Sequence, residues 1–170
     1  MTSLRPIAII ALAGTLAASS ALIGCSATAA NQGSDAGTLV DKVEGDRLLA
    51  EARVLFEMGD FEGTERTLRL AIDANPFDGR AHYNLGVLGL RDGRLSTAAK
   101  RFERAAELMP RDARPQLGIA SILLQTGQYA SAANAFERVL ELDPRNHTAT
   151  ESLILAIDLQ QQESNHHTNH

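Results

Sequence analysis

The chain has 170 residues, 21 acidic against 16 basic for a formal net charge of −5, with a single cysteine and no tryptophan. That length accommodates one modest domain. The mild charge gives no reason to expect nucleic-acid binding, which needs a basic face, and the lone cysteine excludes a disulfide within these residues, so stability has to come from packing.

Residues 1–24 read as an export segment. Arg5 is a minimal basic flank, Ile7 to Leu22 is apolar and rich in Ala, Ile and Leu, and Leu22-Ile23-Gly24-Cys25 follows directly. That tetrapeptide resembles the lipobox of bacterial lipoproteins. The resemblance implies cleavage between Gly24 and Cys25 and diacylation of the Cys25 sulfur, two or more acyl chains giving stable anchoring where one does not. An ordinary signal peptide, or an uncleaved membrane helix with a chance cysteine, is the alternative. Residues 25–44 are small, polar and Gly-containing, which reads as a flexible tether spanning about 25 Å on average. Leu39, Val40 and Val43 could extend the first helix backward through this stretch, and Gly45 weakens that extension.

From Gly45 onward the chain repeats itself. Pro76, Pro110 and Pro144 are 34 residues apart, and the glycines Gly59, Gly93 and Gly127 keep the same interval. Between them, apolar periodicity predicts helices over 46–58, 61–74, 79–91, 95–108, 113–125 and 129–142. Asp78, Asp112 and Asn146 stand where each can cap the next helix, and the prolines stop the preceding one. Packing faces fall on Thr64, Leu68 and Ala71; on Leu85, Ala98, Phe102 and Ala105; and on Ala132, Phe136 and Val139. A seventh helix over 147–162 should cover the last pair with Leu153, Ile154 and Ile157. The remaining tail, 163–170, is polar and reads as disordered.

A 34-residue period with a helix-turn-helix in each unit, carrying Gly86, Ala98, Phe102, Ala105 and Pro110 in the second unit and Ala120, Ala132, Phe136 and Pro144 in the third, resembles the tetratricopeptide repeat family. The resemblance implies an all-α, right-handed α-solenoid of three repeats (45–78, 79–112, 113–146) with a capping helix, 147–162. It also implies a concave groove lined by the first helix of each repeat. The inward positions would be Leu49, Arg53 and Phe56; Arg80, Tyr83, Asn84, Val87 and Arg91; and Arg114, Leu117, Ser121 and Leu124. Such a mixture of apolar groups and arginines suits an extended peptide or partner helix with some acidic groups. Some members grip a C-terminal carboxylate with five basic and asparagine side chains. Here Asn84 matches, Arg114 keeps the charge and Arg53 replaces an asparagine, but Leu49 and Gly118 stand where basic residues belong.

No nucleotide-binding or metalloprotease motif is present, so no cofactor is expected. His82, inside the repeats, reads as a packed, half-exposed residue. His166, His167 and His170 form a cluster in the tail, a weak candidate for a metal. The expected function is a non-enzymatic scaffold at the bacterial cell envelope, binding another envelope protein or peptide in the groove and the membrane through its lipid. Lipoproteins of this build resemble small assembly factors and pilotins of tight-adherence and type IV pilus machines, and Ser26 is compatible with sorting to the periplasmic face of the outer membrane. The alternative is an accessory subunit of an envelope enzyme, or a metal-binding lipoprotein acting through its histidine tail.

Overall fold

A computed structural model of the protein describes residues 33–168. The export segment, Cys25 and His170 lie outside the described residues. Seven helices follow one another: α1 (Gly33–Glu57), α2 (Phe61–Ala74), α3 (Gly79–Arg91), α4 (Leu95–Leu108), α5 (Ala113–Gln125), α6 (Tyr129–Leu142) and α7 (His147–Thr168), with no strand among the described residues. Helices α2 to α6 begin and end where the periodicity places them.

Local chemistry explains those boundaries. Each pair turns at a glycine in the left-handed region, Gly59, Gly93 and Gly127, at φ of 80°, 71° and 76°, which a side chain would strain. Asp78 and Asp112 accept hydrogen bonds from the backbone N–H of Arg80 and Arg114, capping α3 and α5, and Asn146 caps α7 by accepting from Ala149 at 3.0 Å. The helices then pack as α1 on α2, α3 on α4 and α5 on α6, each pair stacking on the next, with α7 against α6.

The faces expected to pack do so. Leu68, Ala71, Ala98, Phe102, Ala105, Ala132, Phe136 and Val139 are fully buried. Phe102 anchors the middle of the array: its ring lies against Gly86 of α3 on one edge and Gly118 of α5 on the other, so close that a Cβ on either glycine would sit 2.7 Å from ring carbons. Gly118, which the clamp pattern would make basic, is therefore a slot for an aromatic ring.

Three expectations are corrected. Helix α1 starts at Gly33, so 33–44 is helical instead of flexible; Gly45 is buried, its Cβ position 3.4 Å from the Asn75 Cβ, and serves close helix contact instead of breaking the helix. Likewise α7 does not end at 162 but runs to Thr168, taking His166 and His167 into its last turns. The phase of α7 also differs. Ala149 and Ala156 are buried against α6, with Leu153 beside them, whereas Ile154 and Ile157 are 64% and 41% exposed.

The two ends of the array differ in character. Ala81 and Leu85 of α3 pack against the pair before them, and 34 residues earlier the same positions hold Arg47 and Glu51. Arg47 is paired to Glu51 at 2.9 Å and to Glu44 at 2.7 Å. A charged, solvated face thus closes the first end. The last end carries Ile154 and Ile157.

Candidate functional site

The first helices approach one another along the array, α3 touching α5 and α5 touching α7, while the second helices make no comparable contact among themselves. The array therefore curves with α1, α3, α5 and α7 on its inner side, and the groove residues belong to that wall.

Five of the expected residues meet at one place. Leu49, Arg53 and Phe56 of α1 and Asn84 and Val87 of α3 surround a cavity of about 210 Å³ whose remaining wall is Ala52, Thr64 and Leu68. Phe56 is held edge-on by Phe61, ring centroids 5.5 Å apart at 78°. The half-buried Asn84 amide makes no hydrogen bond within the described residues. Arg53 is mostly in solvent, its nearest carboxylate being Glu57 at 3.8 Å. The cavity thus offers an apolar floor with one amide and one cation at its mouth. That composition holds a hydrophobic side chain while hydrogen-bonding the polar chain that carries it.

A second station lies one repeat further on. Tyr83 packs against Phe102, centroids 5.7 Å apart, and the Arg114 guanidinium sits over its ring, 5.1 Å from the centroid. Arg114 is also committed to its own cap: its Nε and Nη2 donate to the Asp112 carboxylate at 3.0 and 2.6 Å. That hydrogen bond holds the Asp112 carboxyl below its ordinary pKa.

The groove is less cationic than its arginines suggest. Arg80 is taken up by Asp78 and Asp46. Arg91 stacks on Phe61, 3.0 Å from the ring centroid, and pairs with Asp92 at 2.9 Å. Among the arginines expected along the groove on α1, α3 and α5, Arg53 is the most loosely held, paired with Glu57 at 3.8 Å and stacked on no ring. On α5, Leu117 and Leu124 pack partly into the third pair's core, and the Ser121 hydroxyl donates to the Leu117 carbonyl at 2.8 Å. The wall also holds a residue outside the expected set: Leu155 of α7 stands 34 positions after Ser121 and is 48% exposed, so the wall continues onto α7. The 34-residue register alone is enough to locate it.

His82 is buried, at 6% exposure, where a half-exposed residue was expected. Its Nδ1 lies 3.4 Å from Nη1 of Arg101. A guanidinium only donates, so Nδ1 accepts and the proton is on Nε2. Burial, aided by Arg101, pushes its pKa down. Among the described residues no group of three or more His, Cys, Asp or Glu is gathered for a metal ion. His166 lies in the last turns of α7, and His170 lies outside the described residues.

Two family models, both described as tetratricopeptide repeat, match residues 49–116 and 90–155. No curated relative matches the chain. Among solved structures, the chain is similar to a Thermobaculum terrenum O-GlcNAc transferase mutant at 27% identity and a TM-score of 0.63, over 69% of this chain and 22% of that one, so it spans about a fifth of that enzyme. It is also similar to the first tetratricopeptide domain of Spaghetti (RPAP3) bound to an HSP90 peptide, SRMEEVD, with 20% identity, a TM-score of 0.64 and 71% and 96% of the two chains covered. The TPR2B domain of yeast Sti1 in its pHsp70 complex gives 20% identity and a TM-score of 0.62 over 71% and 98%.

Proposed function

Across residues 49–155 this chain belongs to the tetratricopeptide repeat family, and we propose that it is a binding scaffold whose concave groove holds an extended segment of another protein. The observation that carries this is the cavity between α1 and α3, where Leu49, Phe56, Leu68 and Val87 converge below an Asn84 amide that nothing else among the described residues engages. The Asn84 amide is open to a ligand, and an extended backbone supplies both a donor and an acceptor to it. Two of the similar folds were solved in complexes, one with an HSP90 peptide and one with pHsp70. They support a peptide as the class of ligand; its sequence is set by this chain's own cavity, which favours an aliphatic or aromatic anchor with an acidic neighbour facing Arg53.

In this reading the scaffold works without chemistry of its own. It is exported and held by lipid on Cys25 at the cell envelope, and it assists assembly of a pilus or secretion machine. The lipobox-like Leu22 to Cys25 stretch supports the anchor, and no helix among the described residues is long and apolar enough to cross a membrane.

Photo-cross-linking from Val87 in the groove, compared with Arg66 and Arg138 on the second helices, tests the site. Adducts with a partner from Val87 alone are expected. Arg53→Ala with Asn84→Ala should then weaken binding of that partner by about 2–4 kcal/mol with the thermal midpoint little changed, since both side chains are at the surface. Adducts from the second helices instead would move the site to the convex face.

A further inference from the structure

We propose that the segment held in the groove is an internal stretch of its partner, bound by one wholly apolar side chain and the peptide group beside it, with neither chain end taking part. The inference rests on the groove reading above and narrows it. Its first support is the balance of charge along the wall. Asp78 and Asp46 hold Arg80, Asp92 holds Arg91 at 2.9 Å and Asp112 holds Arg114 at 2.6 Å, while Arg53 has Glu57 at 3.8 Å. A terminal carboxylate brought to this wall meets one loosely held cation, and beside the other arginines it meets a carboxylate already in place. A terminal ammonium fares no better, because each of those carboxylates already has an arginine. Either end would give up hydration for at most that one loose pair.

The second support is Asn84, which lines the cavity. Its amide carries donors and an acceptor on one group, and a peptide group inside a chain offers the complementary C=O and N–H. A carboxylate offers acceptors only and an ammonium donors only. A chain end would therefore leave part of the amide unmatched.

The cavity sets what the side chain must be. At about 210 Å³ it is smaller than the roughly 300–1,000 Å³ of sites that enclose a whole small molecule, which suits a single side chain. The one hydroxyl in its wall, on Thr64, already donates to the Asp60 carbonyl at 2.7 Å, and Ala52 and Leu68 beside it are both 1% exposed. No buried side-chain nitrogen or oxygen among the described residues lacks a partner. A polar tip pushed onto this floor would lose its water with nothing waiting to bond it. Leucine, isoleucine, methionine and phenylalanine meet these terms; glutamine and asparagine do not.

Random peptide libraries in two forms, one with the random stretch embedded between Gly-Ser flanks and one ending in a free carboxylate, are selected on the full chain, and binders are mapped by photo-cross-linking from Val87. The embedded library should yield groove binders that share one large apolar position. Their affinity should change less than about threefold when the ends of the synthetic peptide are acetylated and amidated, and fall at least about tenfold when the anchor becomes alanine or asparagine. Leu49→Ala, which widens the cavity, should shift the selected anchor toward a larger side chain and Val87→Phe toward a smaller one, helicity being checked for both. Groove binders that come only from the free-carboxylate library, or that lose at least about tenfold on capping, overturn this inference and leave the groove reading standing. So does a set of groove binders with no shared apolar position, or an anchor unmoved by either folded variant. Binders from neither library, or binders that cross-link only from the second helices, remove the groove reading and this inference with it.

Discussion

At the residue scale, the middle of the array depends on two glycines giving way to one ring. Phe102 is fully buried and fills the space that Gly86 and Gly118 leave open. Gly118→Ala should gain up to about 1 kcal/mol in helix propensity and lose about 1–3 kcal/mol to overpacking, because a rigid aromatic ring, 2.7 Å from the new Cβ, cannot bend aside. A net fall in the urea midpoint is expected, relieved when Phe102→Leu is added. His82 yields a pH dependence with a definite sign. Its folded pKa is lowered from 6.5 by burial and by Arg101, so the unfolded chain takes up the proton first as pH drops. Stability is then full above about pH 6.5 and is lost as the pH falls from there toward the folded value. Denaturation midpoints at about pH 7.5 and 5.5, compared with those of His82→Gln, should show a steeper loss in the natural chain. Glutamine is the residue at the equivalent position 116.

At the scale of the helix, the turns carry the repeat. Gly93 has φ of 71°, and no heavy atom lies within 4 Å of the place a Cβ would take, so Gly93→Ala isolates backbone strain from crowding. It should cost about 1–2 kcal/mol, measured as a shift in chemical denaturation. The contrast with position 161 explains α7: where glycine is replaced by glutamine, nothing favours the left-handed residue and the helix continues. The five central helices are readable in the sequence because each is bracketed by its own signals, an Asx cap before or a glycine or proline after. The end helices are not, because α1 has no stop signal on its N-terminal side and α7 none at its usual turn. Both helices therefore run beyond the bounds read from the sequence.

For the whole molecule, stacked pairs leave two ends and one inner wall. The first end is closed by the Arg47 ion pairs, the last exposes Ile154 and Ile157, and the wall between them carries the cavity at Arg53 and Asn84. In the proposed function, lipid on Cys25 sets where that wall works. Cys25→Ala should move the protein out of the membrane fraction and remove the acyl mass, while leaving helicity untouched, since Cys25 precedes the packed helices. An unchanged fraction and mass would remove the anchor from the proposed function.

The repeat period, the caps, the turn glycines and the buried faces of α2 to α6 were determined by the sequence alone, because each depends on residues close in the chain or on one spacing of 34. Only the tertiary structure decided which groove side chains remain available. Arg80, Arg91 and Arg114 look alike as letters, yet each is engaged, by Asp46 and Asp78, by Phe61, or by Asp112 and Tyr83, whereas Arg53 has only the long pair to Glu57 at 3.8 Å. A side chain's partners are set by which helices stack beside it. For the same reason Ile154 and Ile157, apolar and helical like any core residue, are exposed: burial requires a neighbouring helix, and among the described residues α7 is packed on one side.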